Sequence, residues 1–151
     1  MILGISPGTR LVGTAILKDG VLIDWGVKMF KEKWSDQKLQ RIVTVLEAII
    51  RRYGIKTIAL KSVHISKASK ELEVLVHAIV LVARQLKIHL RTYTIEELKH
   101  HCNGAPNKEL IMSYVFQLYP EVEKTIRFGK ENSLYHMKTI EAVALVHSIN
   151  E

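Results

Sequence analysis

The stretch from Met1 to Ile16, Met-Ile-Leu-Gly-Ile-Ser-Pro-Gly-Thr-Arg-Leu-Val-Gly-Thr-Ala-Ile, constrains the chain most. Ile2 to Ile5 is an apolar run too short for a helix and β-branched enough for a buried strand. Pro7-Gly8 breaks it as a turn would. Leu11 to Leu17 resumes in strand-forming residues, and Asp19-Gly20 marks a hairpin turn into Val21 to Phe30. The chain therefore opens on an antiparallel meander of three strands. The first of them ends on Ser6, a polar residue at a strand terminus, where a site can be built.

Helical spacing takes over after the polar connection Lys31 to Asp36, in which Ser35 or Asp36 is a candidate N-cap. Leu39, Ile42, Val43, Leu46, Ile50 and Tyr53 line one face, and Gly54 closes the helix. Thr57 to Leu60 reads as a fourth strand ending on Lys61, reached by a parallel crossover. A second helix, about 67–87, carries one stripe of Leu72, Leu75, Val76, Ile79, Val82, Ala83 and Leu86. A second apolar set, Val74, Ala78 and Leu81, implies a second partner. That partner is either a helix of the same domain or the same helix of a second subunit, and a homodimer is the favoured reading.

Ile88 to Tyr93 supplies a fifth strand, and Thr94 with Glu97 forms a capping box that opens a short helix to His101. Asn107 caps a further helix through Leu118, which Tyr119-Pro120 is expected to stop. Residues 121–133 read as a short helix plus loop, and the last helix, about 134–148, places Ile140, Val143, Ala144 and His147 on one face. No repeat, low-complexity segment or linker divides the chain, so residues 1–151 are expected to form a single domain. The order gives an α/β fold: a five-stranded mixed sheet, strands 1–3 antiparallel and strands 4–5 parallel, flanked by helices. That is a ribonuclease-H-like layout.

Composition narrows the function classes. No apolar run is long enough to span a bilayer, so no membrane partner is expected. The single cysteine, Cys102, cannot form an internal disulfide and fits a reducing cytoplasm. A formal charge of +7 favours a polyanionic partner such as nucleic acid, with solubility as the plain alternative. His100, His101 and Cys102 invite a zinc reading, but consecutive helical residues point in different directions and no second cluster has ligand spacing. Ser6 lacks a nucleophile elbow and an evident His/Asp pair. The glycines between residues 4 and 13 match neither a dinucleotide fingerprint nor a P-loop.

Three segments together resemble the RuvC family of Holliday-junction resolvases. Ile2-Leu-Gly-Ile-Ser-Pro-Gly-Thr-Arg10, followed by Gly13, is similar to the family's opening, in which the strand ends in Asp-Pro-Gly-Ser-Arg. Ile58-Ala-Leu-Lys-Ser-Val-His64 resembles the second motif, where a strand ends in Glu followed by Gln-Val-Phe. Lys138-Thr-Ile-Glu-Ala-Val-Ala-Leu-Val-His147 resembles the closing motif, Asp-x-x-Asp-Ala followed by apolar residues. The resemblance covers essentially the whole chain.

The resemblance implies phosphodiester cleavage by metal ions held on four carboxylates. The matching positions here are Ser6, Lys61, Lys138 and Glu141, of which only the last is an acid. Magnesium needs hard anionic oxygens, and an ammonium group repels it. The expectation is therefore an intact catalytic set at none of these positions, no bound magnesium and no resolvase activity by the family route. The nearby acids Asp24, Glu71, Glu73 and Glu131 fall at neither the end of the first strand nor that of the fourth, and Asp24 is expected to face solvent.

A lysine, Lys61 or Lys138, is instead expected to occupy the metal volume and pair with Glu141; Lys138 and Glu141 stand three apart on one helix. Both lysines pointing to water is the ordinary alternative. The resemblance also makes Lys99 and Lys108 counterparts of phosphate-contacting lysines, and puts His64 where the family has a stacking aromatic. With Arg10, Lys61, Lys67, Lys70 and Lys138, these residues form the candidate nucleic-acid-binding set. The leading expectation is a catalytically inactive RuvC-like protein that grips structured DNA or other nucleic acid in a basic cleft. A protein-interaction scaffold, and last an active endonuclease with a rebuilt site, are the competing readings.

Overall fold

Asp19 and Gly20 adopt positive φ angles of 50° and 80°, the backbone of a tight hairpin turn. In the computed structural model, which describes residues 1–63, 68–127 and 133–150, this turn joins the second and third strands of the opening meander. The strands are β1 (Ile2–Ser6), β2 (Leu11–Lys18) and β3 (Val21–Met29). Then follow α1 (Asp36–Tyr53), β4 (Thr57–Lys61), α2 (Lys70–Gln85), β5 (His89–Tyr93) and α3 (Ile95–His101). The chain continues through α4 (Lys108–Leu118), α5 (Pro120–Arg127) and α6 (Ser133–Asn150). The spatial strand order is β3-β2-β1-β4-β5, with β1, β4 and β5 parallel and the meander antiparallel. This is the five-stranded mixed sheet expected from the sequence.

The helix boundaries follow their caps. Ser35 accepts a hydrogen bond from the Lys38 amide at the start of α1, and Gly54, at φ 62°, ends that helix in the left-handed conformation. Thr94 and Glu97 form the reciprocal capping box of α3, and Asn107 caps α4. Pro120 stops α4 at Leu118, as expected, and opens the next helix. It sits at the first position of α5, where its missing N–H costs nothing. Helix α2 begins at Lys70, capped by Ser69, rather than at Lys67.

The sheet has two differently built faces. Strand alternation sends Leu3, Ile5, Ile58 and Leu60 to one side, where α1 and α2 cover them. In the second apolar set of α2, Ala78 packs against this core while Val74 and Leu81 are 41% and 40% exposed, with no described helix over them. The opposite face carries small residues: Gly4, Gly13, Ala15 and Ala59. They allow α6 to lie close against the sheet. A Cβ on Gly4 would stand 2.4 Å from the Ala142 carbonyl oxygen, and one on Gly13 would stand 2.1 Å from that of Lys138. Neither position tolerates a side chain.

Helix α6 departs from the expected single apolar face. Thr139 through Val146 is buried without interruption, because α6 is held between the sheet and the α3–α4–α5 layer. A helix enclosed on all sides shows no amphipathic period. His147 lies between Tyr114 and Tyr119, its ring nitrogens 3.4 Å from each hydroxyl. Asp24 is half-buried rather than solvent-facing.

Candidate functional site

The period of two that places Gly4 and Ala59 toward α6 also places Ser6 and Lys61 there, two residues further along β1 and β4. The two strands are neighbours in parallel register, Ile5 beside Leu60, so both side chains emerge at the same end of the sheet. Helix α6 brings Glu141 over that end. Glu141 is 2% exposed, and its carboxylate is shared between several donors.

Ser6 Oγ donates to Glu141 Oε1 at 3.0 Å, and Lys61 Nζ donates to Oε2 at 2.5 Å. Lys108 Nζ, from the first turn of α4, stands 3.8 Å from Oε2. Residues far apart in the sequence thus converge on one buried carboxylate, with two ammonium groups within ion-pair distance. A buried charge of this kind requires such partners, since desolvation would otherwise neutralise it.

Of the two lysines expected to reach Glu141, Lys61 does so and Lys138 turns elsewhere. Its ammonium donates to the Pro7 carbonyl oxygen at 2.8 Å, back across the turn that follows β1. Gly8 permits this route, as a Cβ there would come within 3.3 Å of Lys138 Nζ. Burial holds the Lys138 ammonium below the usual lysine pKa; the Glu141 carboxylate opposes that shift, and Lys61 and Lys108 add to it. The group therefore comprises one carboxylate, one hydroxyl and three amines.

The remaining candidates scatter. Lys99 is half-buried and pairs with Glu96 at 3.6 Å, while Arg10 and Lys70 are exposed. His64 and Lys67, with Lys130 and Glu131, lie outside the described residues. Two participants escaped the sequence reading. The resemblance makes Lys108 a phosphate contact only, yet it approaches Glu141, and no motif marks the Pro7 carbonyl as a lysine acceptor. Nothing in the local pattern around residues 7 or 108 carries that information, because both contacts bridge segments far apart in the chain. Among the described residues no three His, Cys, Asp or Glu side chains come together as metal ligands. Among the described residues the set around Glu141 does not suit a divalent cation, since it offers one carboxylate whose Oε2 already accepts from Lys61.

A mixed sheet in this order, with helices on both faces and a polar cluster where β1 and β4 end, defines a ribonuclease-H-like protein. The sequence profile of the family described as crossover junction endodeoxyribonuclease RuvC matches residues 2–127, and the chain belongs to that family. Among solved structures it is similar to RuvC of Thermus thermophilus, with a TM-score of 0.73, 13% identity and coverage of 99% of this chain and 95% of that one. It is also similar to T. thermophilus RuvC in complex with a Holliday junction substrate, with a TM-score of 0.72, 15% identity and coverage of 97% and 90%. At these identities the two likenesses concern the fold. No curated protein matches the chain in sequence.

Proposed function

We propose that this RuvC-family chain is a cytoplasmic, single-domain, catalytically inactive protein that binds structured DNA without metal-dependent cleavage. The observation that carries the reading is the Lys61–Glu141 pair. By the motif resemblance, Ser6, Lys61, Lys138 and Glu141 stand where the family holds metal-binding acids, and here an amine rests 2.5 Å from the one remaining carboxylate. Three lysines around one acid leave an excess of positive charge at the strand ends, which suits a phosphate rather than a magnesium ion. Arg10, Lys70 and Lys99, with His64 and Lys67, extend the proposed contact set beyond this centre.

The exposed Val74 and Leu81 on α2 support a homodimer with that face as its interface. The same face is what a pure protein-interaction scaffold would use. One experiment separates these readings: binding and cleavage of a four-way junction, with and without magnesium or manganese. The proposed function requires a salt-dependent gel shift and no product with either metal. Cleavage would restore the nuclease reading. Absence of binding at low salt would favour the scaffold.

A further inference from the structure

The outer edge of β3 is unlike the sheet's other margin. No strand pairs with it among the described residues, yet it carries Val21, Ile23 and Met29 at 62%, 41% and 43% exposed. The margin formed by β5 presents His89, Arg91 and Thr92 instead. An open apolar edge of nine residues is a template for pairing.

Its hydrogen-bonding groups can be assigned. The Phe30 amide donates to the carbonyl of Arg10, the residue before β2, at 2.8 Å. By alternation, Lys28, Gly26 and Asp24 also turn their backbone groups toward β2, where they oppose Val12, Thr14 and Ile16. Trp25 and Val27 therefore turn theirs outward, with no backbone partner among the described residues.

We propose that β3 pairs antiparallel with β3 of a second copy, centred on Gly26, joining the two sheets into one. A two-fold pairing must be centred on a residue, so that opposed side chains share a face. Of the central choices, only Gly26 sets Asp24 opposite Lys28 of the other copy, twice by symmetry. Trp25 then exchanges backbone hydrogen bonds with the partner's Val27, and the partner's Trp25 does the same with Val27. Asp24 and Lys28 fall in the closely spaced, non-hydrogen-bonded pairs, where cross-strand charges interact best. At the two-fold itself, where side chains would crowd, there is a glycine, and a Cβ added to it meets nothing within 4 Å in the monomer. The register irregularity between Ile16 and Leu17 leaves Ile23 as the extra residue of a bulge, so the straight run available for pairing is Asp24 to Lys28.

The test is disulfide trapping of the full chain. Gly26→Cys places two thiols across a pair whose Cα separation, about 4.5 Å, suits a disulfide. Cys102 is 2% exposed and does not compete. Gly26→Cys is expected to form a cross-linked dimer on mild oxidation much faster than Val21→Cys, which is more exposed but not self-opposed in this register. Adding Asp24→Lys or Lys28→Asp turns two opposite-charge pairs into two like-charge pairs and is expected to slow linking at least about tenfold. Mixing those two charge variants restores complementarity and is expected to restore the rate. Equal rates for Gly26→Cys and Val21→Cys, or no effect of the charge changes, would overturn the proposal. A dimer formed only through α2 leaves both comparisons flat, so the outcome is independent of the interface proposed there.

Discussion

Lys61 Nζ lies 2.5 Å from Oε2 of Glu141, joining the end of a strand to the middle of a helix across 80 residues of chain. The carboxylate side chain is 3% exposed and the lysine side chain 17%, so water screens the pair little. This ion pair closes the sheet against α6.

Removing one member should therefore be costly. Lys61→Met leaves a buried carboxylate with Ser6 and the more distant Lys108, and is expected to destabilise the fold by about 3 kcal/mol. Lys61→Met/Glu141→Gln should lose less than the sum of the single changes, because it strands no charge. Urea unfolding of the three variants measures the coupling. Additive losses would show that the two groups are independent.

Gly13→Ala is expected to destabilise by at least about 2 kcal/mol, since the new methyl group meets backbone rather than a movable side chain. Gly26→Ala, where a Cβ meets nothing, should change stability by less than about 0.5 kcal/mol. Thermal unfolding of the two proteins side by side checks the contrast.

Lys138 should leave a trace in alkaline solution. Its folded pKa lies below the ordinary 10.5, so between the lowered value and 10.5 the unfolded chain binds more protons than the folded one. Stability contributed by this residue therefore rises with pH through that window. Denaturation of wild type and Lys138→Gln at a series of pH values should show their difference in stability moving toward the wild type as pH increases. A constant difference would mean that the amine titrates normally.

Ser6→Asp/Lys61→Glu/Lys138→Asp returns carboxylates to the cluster around Glu141. Without metal, this variant should be less stable than wild type because the acids repel one another. Manganese should raise its melting temperature and leave that of the wild type unchanged, since only a chain that binds the ion gains stability from it. Equal response of the two proteins would contradict the donor-set argument.

Lys108 is the exposed member of the cluster, its side chain 53% accessible. Lys108→Ala should weaken junction binding and lower the salt slope by about 1, as expected for one lost phosphate contact. An unchanged slope would remove this residue from the binding surface.

The local grammar of the chain was largely legible. Caps at Ser35, Thr94 and Asn107, the turn at Asp19-Gly20 and the alternation in the strands depend on neighbouring residues, so short windows contain them. Alternation even put Ser6 and Lys61 on the face that carries the site. Helix α6 was read with one apolar face because full enclosure erases the period that reveals a helix's orientation. Helix α2 starts at Lys70 because Ser69 caps it, a choice the apolar stripe alone does not make.

By itself, then, the sequence determined the order of elements, the sheet's two faces and which residue types stand at the strand ends, because these follow from short-range sterics and polarity. Only the tertiary structure decided that Lys61 rather than Lys138 takes the Glu141 carboxylate. Both amines were close enough in principle. The choice turned on reach: the Pro7 carbonyl, brought beside α6 by the turn after β1, accepts Lys138 at 2.8 Å and leaves Glu141 to the lysine across from it.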